Sequence, residues 1–180
     1  MKNEIYFFTG SGNSLKIAKD ISNKINGNIK SISQEIRKDI IKIEADTVGL
    51  IFPAYHATFG ESGIPLIVER FIKKLENINS LYIYAVCTHM GFPGATIDNL
   101  SKLINKRGGK LFFGFTVKMS IPFSTIDKIN YLVFNKKLNF NNKTFEKKMI
   151  KLNSEWNKKL DKIKFNIDMR KNDKLETLGK

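Results

Sequence analysis

Glu4-Ile5-Tyr6-Phe7-Phe8-Thr9-Gly10-Ser11-Gly12-Asn13-Ser14 is the stretch on which the reading of this chain turns. Its first half is a short apolar and aromatic run, which suits a strand buried on both faces, and two glycines then turn the chain. Leu15, Ala18, Ile21 and Ile25 follow at helical spacing, with Asn13 or Ser14 placed to cap the helix and Gly27 to stop it. Strand, glycine turn and helix in immediate succession predict the opening of a parallel α/β unit.

The same alternation continues outward. Residues 29–32 read as a weak second strand, and Thr47-Val48-Gly49-Leu50-Ile51-Phe52 as a clear third one ending at Pro53. Pro65 opens a helix carrying Leu66, Ile67, Phe71 and Leu75, and Leu81-Tyr82-Ile83-Tyr84-Ala85-Val86-Cys87 is a fourth strand. Ile97, Leu100, Leu103 and Ile104 mark a helix stopped by Gly108-Gly109, after which residues 110–117 form a fifth strand rich in Phe. Residues 119–140 fit either a short strand or part of a helix around Tyr131-Leu132-Val133-Phe134. From Thr144, the residues Phe145, Met149, Leu152, Trp156, Leu160 and Ile163 step by threes and fours and predict a closing helix. Strands and helices in this order predict an α/β fold with a doubly wound parallel sheet, covered on both faces and joined by right-handed crossovers. The expectation is one domain over residues 1–166, with a polar segment, 167–180, that frays.

Composition supports a folded chain: 180 residues, 42% hydrophobic, with 14 Phe, are enough to pack a core. The single cysteine, Cys87, excludes an intramolecular disulfide and any cysteine-ligated zinc or iron–sulfur site built from this chain alone. No apolar run approaches the roughly 18 residues of a membrane span, and the first strand begins with no cleavage signal before it, so a soluble, cytoplasmic monomer is expected. Net charge is +14, and it is uneven: residues 135–180 hold 14 basic and 6 acidic side chains. That excess suits an acidic partner, although lysines between the apolar positions of an amphipathic helix also describe an ordinary water-facing side. The chain contains no RNA-binding aromatic motif or DNA-binding helix pair, which argues against a nucleic-acid partner.

The segment Thr9-Gly10-Ser11-Gly12-Asn13-Ser14 lies where a parallel sheet binds ligands, between a strand's carboxyl end and a helix N-terminus with free N–H groups. Its glycines let backbone approach closely, and Thr9, Ser11, Asn13 and Ser14 add hydroxyl or amide donors. The ATP-type loop is excluded because no Gly-Lys-Ser/Thr follows at the required spacing. The dinucleotide fingerprint fits poorly: Leu15 stands where a third glycine belongs, and Ser31, Ile32 and Ser33 where the acid belongs. A compact hydroxyl-rich loop suited to the terminal phosphate of a mononucleotide remains, against the plainer reading of a capped strand-to-helix turn.

These residues resemble the flavodoxins, in particular the flavodoxin-like domain that anaerobes fuse to a ferredoxin. The likeness rests on residues 6–14 with Ala18, and on Phe52-Pro53-Ala54-Tyr55 followed by Ile64-Pro65 and Phe71, and it covers residues 4–118. It implies a five-stranded sheet of order 2-1-3-4-5, FMN as cofactor and electron transfer as the role. By the same resemblance Thr9, Gly10, Ser11, Gly12, Asn13 and Ser14 would hold the phosphate. Pro53, Ala54, Tyr55 and His56 would line one side of the isoalloxazine, and Thr88, His89, Met90, Gly91, Phe92 and Gly94 the other. Tyr55 and Phe92 are the candidate stacking rings, and Gly60 is a possible contact to flavin N5.

Both histidines, His56 and His89, fall in these two loops, where an imidazole would tune the flavin or merely bond a backbone carbonyl. Cys87 reads as a small buried residue. Three features depart from the family: no ferredoxin half, a long loop over residues 57–63, and a basic rather than acidic charge. Electrons would therefore come from another protein, an acidic, ferredoxin-like redox partner. An FMN-dependent NAD(P)H flavin or quinone oxidoreductase, and a flavin-free module that binds through its basic surface, remain alternatives.

Overall fold

A computed structural model describes residues 1–55, 62–119 and 142–178. Five strands, β1 (Asn3–Phe7), β2 (Asn28–Ser31), β3 (Thr47–Pro53), β4 (Tyr82–His89) and β5 (Leu111–Lys118), form one parallel sheet in the order 2-1-3-4-5. The connecting helices are α1 (Asn13–Ile25), the single turn α2 (Ile32–Glu35), α3 (Leu66–Lys74), α4 (Thr96–Lys106) and the closing α5 (Asn142–Leu178). The expected strand order and layering are the ones observed.

Side-chain alternation along each strand makes two cores. On one face Tyr6, Leu50, Phe52, Ile83 and Cys87 pack against Val68, Phe71 and Ile72 of α3 and Leu100 and Ile104 of α4. On the other, Ile5, Ile51, Tyr84 and Val86 meet Ile17, Ala18 and Ile21 of α1 and Trp156, Ile163 and Ile167 of α5. Strands apolar on both faces need helices on both sides, which is why the chain alternates as it does. Among the described residues, no helix is long and apolar enough to cross a membrane.

The helix ends differ from the sequence reading in detail. Gly12, at φ +87°, and not Asn13 or Ser14, takes the N-cap of α1, and Asn26, at φ 53°, takes the left-handed turn one residue before Gly27. Gly27 is needed for closeness instead, because a Cβ there would stand 3.1 Å from Ile5. Leu66 is exposed at the start of α3, and Val68 and Ile72 supply the buried face with Phe71. The stripe expected in α5 is confirmed at Trp156 and Ile163, with Leu160 partly buried, while Phe145 and Met149 lie outside the described side chains. The polar segment expected to fray from residue 167 begins inside this helix. Ile167 is buried, and Arg170 sits 4.4 Å over the Tyr82 ring and donates to the Asp46 carbonyl at 2.6 Å. The packed chain therefore reaches Arg170.

Glu4 and Tyr84 bury polar groups within the sheet. Glu4, 2% exposed, accepts a hydrogen bond from Tyr6 Oη at 2.6 Å and pairs with Lys30 at 3.0 Å and Lys2 at 3.6 Å. Burial alone would raise its carboxyl, but the Tyr6 bond and the two ammoniums prevail and hold it below the usual value. Tyr84 is fully buried over Gly49, where a Cβ would stand 2.5 Å from its ring, and its hydroxyl has no hydrogen-bond partner among the described residues. Tyr84→Phe removes a desolvated donor while keeping the ring, and should raise unfolding free energy by about 1 kcal/mol. Gly49→Ala should lower it by about 1 to 3 kcal/mol through overpacking. Urea denaturation of both variants checks the pair.

Candidate functional site

The strand order reverses direction at β1. The chain leaves β1 for its outer neighbour β2 and returns to β3 on its other side, so connections diverge and a crevice opens at the carboxyl ends of β1 and β3. The loop from β1 into α1 forms one wall. Gly12 turns left-handed to start the helix, and its N–H donates to Thr9 Oγ1 at 2.9 Å. Thr9 thus accepts from its own loop and keeps its hydroxyl proton free to donate outward.

Ser11 is exposed and Asn13 half-buried, and neither side chain makes a hydrogen bond among the described residues. Ser14 differs. Its hydroxyl lies 2.9 Å from Thr88 Oγ1, and both side chains are buried, so this bond ties the first turn of α1 to the end of β4. Ser14 therefore offers the loop its backbone N–H, while its side chain is committed to the brace.

The second wall follows β3. Ala54 N–H donates to the Thr88 carbonyl at 2.8 Å and Tyr55 N–H to the Gly63 carbonyl at 3.0 Å, which fix the turn leaving the sheet. The Tyr55 ring meets Phe8 edge-on at 6.1 Å and reaches over Gly10, where a Cβ would stand 2.6 Å from its hydroxyl. Any side chain at residue 10 must displace this ring. His56 and Gly60, expected in this wall, lie outside the described residues.

The third wall is the end of β4 and the residues just after it. His89 Nδ1 lies 2.8 Å from the Gly91 carbonyl, which can only accept, so Nδ1 carries a proton and Nε2 is the titrating nitrogen. Burial, with the nearby Lys118 and Lys159 ammoniums, holds this imidazole below its ordinary 6.5, the Gly91 bond only partly opposing them. Met119, which the sequence reading did not single out, joins the wall because its N–H donates to the His89 carbonyl at 2.7 Å. Its only sequence signal was position, one residue past the end of β5.

These walls enclose a cleft of about 350 Å³ lined by Thr9, Gly10, Ser11, Asn13, Ser14, Pro53, Ala54, Tyr55, Thr88, His89, Met90 and Met119. Of the expected residues in the described part, Gly12, Gly91, Phe92 and Gly94 stand outside the lining, Phe92 being 78% exposed. Among the described residues, the lining contains no Lys, Arg, Asp or Glu, and no group of carboxylates, histidines or cysteines could hold a metal. Cys87, in the core beside Ala54, is inert at neutral pH because burial pushes its thiol up to about 12, the Ala54 N–H only partly opposing it. The donor set is amide, hydroxyl and aromatic, which fits an anionic group on the helix N-terminus and a flat apolar ring beside it.

The fold is similar to that of solved flavodoxins. A Streptococcus pneumonia TIGR4 flavodoxin matches with a TM-score of 0.51 at 17% identity, over 72% of this chain and 92% of that one. Two-electron reduced Megasphaera elsdenii flavodoxin matches with a TM-score of 0.51 at 16% identity, over 68% of this chain and 89% of the other. At such identities the likeness is one of fold. No protein-family profile matches the chain, and no curated protein does.

His89 makes stability depend on pH. Its depressed value means that the unfolded chain binds the proton more readily, so this contribution to stability is complete above 6.5 and is lost as pH falls through the folded value. Proton NMR of the imidazole should show titration below 6.5, and Lys118→Ala should move it upward.

Proposed function

We propose that this protein binds FMN in the cleft at the carboxyl ends of β1, β3 and β4 and transfers electrons between redox partners. The observation that carries this reading is the loop of residues 9–14: exposed backbone at a helix N-terminus, with Ser11 and Asn13 side chains unengaged and no charged side chain in the lining among the described residues. Likeness of fold to flavodoxins, one of them solved in a two-electron reduced state, supports it.

Bound FMN would supply one- and two-electron redox chemistry at its ring. The chain's own part is holding and tuning. Backbone N–H groups at the start of α1, the hydroxyls of Thr9 and Ser11 and the Asn13 amide would receive the phosphate, with the helix dipole supplying the positive potential. Tyr55, seated over Gly10, would cover one face of a planar ring system. The Thr88 to Met90 backbone presents the facing edge, and the Ser14–Thr88 bond holds the two walls in register. Across the cleft, Lys118 and Lys159, near enough to act on the His89 imidazole, would set a positive potential, while His89 itself stays neutral at neutral pH.

The partner we assign is an acidic, ferredoxin-like redox protein, since net charge +14 repels a basic one. The same field should favour the reduced, anionic flavin. The couple to full reduction should therefore be less negative than in an acidic flavodoxin and should become more negative as salt is added.

Visible absorption of the purified protein, with FMN added where needed, is the first test. Flavin bands and reduction in two one-electron stages are expected; a protein that stays colourless with added FMN overturns the reading. Oxidation of NAD(P)H by the isolated protein would instead mark a reductase. Gly10→Val should cost about tenfold or more in FMN affinity, about 1.4 kcal/mol, by displacing Tyr55. It should leave stability within about 0.5 kcal/mol, because the site is exposed.

A further inference from the structure

Helix α5 is tied alongside α1 at two levels. Trp156 Nε1 donates to Asp20 at 3.0 Å, and Lys24 pairs with Asp161 at 2.8 Å, so the two helices run parallel and in step. Asp20 lies seven residues after Asn13, where α1 begins at the cleft, and the same count back from Trp156 reaches Met149. The residues of α5 before Met149 therefore project about 10 Å past the start of α1, at 1.5 Å per residue. The closing helix overhangs the edge of the sheet on which the cleft opens.

Its charges are unbalanced. Residues 142–164 contain eight lysines and three acidic side chains, and one of those acids, Asp161, is already paired with Lys24. Beside it on α1, Asp20 is taken by Lys16 at 2.8 Å and by Trp156. Lys147, Lys151 and Lys118 are exposed, the last opposite His89 in the sheet register. The mouth of the cleft presents Tyr55 and Met90 at 40 and 56% exposure, Phe92 follows at 78%, and Ile150, just inside the overhang, is exposed. The exposed carboxylate of Asp98 stands on α4, in the other helical layer.

We infer that this face, an apolar centre around the cleft mouth bordered by Lys118, Lys147 and Lys151, is where an acidic redox protein docks. The inference rests on the flavin reading and adds to it the side of approach. A small apolar centre with a charged border suits brief encounters: the border steers and orients, raising association rates about 10- to 1000-fold at low salt, while the centre excludes water over the redox group. Screening confines the effect to charges near the contact, so the lysines of this border act where equal charges on the far layer do not.

The test is association of the FMN-loaded protein with a strongly acidic ferredoxin, followed by stopped flow over a series of salt concentrations. K147E/K151E is compared with K42E/K73E, an equal charge change at two exposed lysines away from the cleft. The first variant should keep its flavin spectrum, associate at least about tenfold more slowly at low salt and lose most of the salt dependence. The second should stay within about threefold of the parent. Equal effects of the two variants, no salt dependence in the parent, or tighter binding of duplex DNA than of the ferredoxin would each overturn the inference. Failure of the parent to bind FMN is a separate result, which removes the flavin reading itself.

Discussion

The position of β1, between the two strands that follow it in sequence, is the constraint on which the rest depends. With β2 on one side and β3 on the other, the loops leaving β1 and β3 lie over opposite helical layers, and a crevice is left at their carboxyl ends. The walls of that crevice are not independent. The Ser14–Thr88 bond and the Ala54 amide on the Thr88 carbonyl join all three at one buried threonine. A ligand that touches any wall therefore meets a site already assembled, which reduces the ordering cost of binding.

Electrostatics divides along the same edge. Among the described residues the cleft lining has no carboxylate or ammonium, yet Lys118 and Lys159 are close enough to depress the His89 imidazole. Lys159 also donates to the Thr116 carbonyl at 2.6 Å, so a cation is fixed near the end of β5 by the same bond that helps seat α5. Charge reaches the cleft through space from its border, where salt can modulate it, and not through contact.

Much of this was legible in the sequence, for reasons that differ residue by residue. Strand order and layers followed from two-sided apolar strands alternating with helical periodicity. Eleven expected lining residues meet at the cleft because a glycine-rich strand-to-helix turn has few places to go in a parallel sheet. What was missed depends on three-dimensional company. Nothing local says that the Ser14 hydroxyl turns inward, since its partner Thr88 is 74 residues away. Gly12 rather than Asn13 caps α1 because the turn requires a positive φ, a demand on backbone that outranks side-chain preference. Arg170 stays ordered because of Tyr82 and the Asp46 carbonyl, neither visible in a helix-by-helix reading.

The buried Glu4 has a consequence for how the edge of the sheet assembles. β2 has only four residues and lies at the edge, where an alternative register along β1 would have little apolar pattern to oppose it. In the observed register Lys30 lies beside Tyr6, and its ammonium meets Glu4 at 3.0 Å. A one-residue slip would turn Lys30 to the other face and deprive a carboxylate that is 2% exposed of its nearest counterion. The ion pair thus acts as an index mark: it adds little to the stability of the correct pairing but penalises the incorrect ones. It also places a charged lysine on an edge strand, where it discourages a second chain from adding to the sheet.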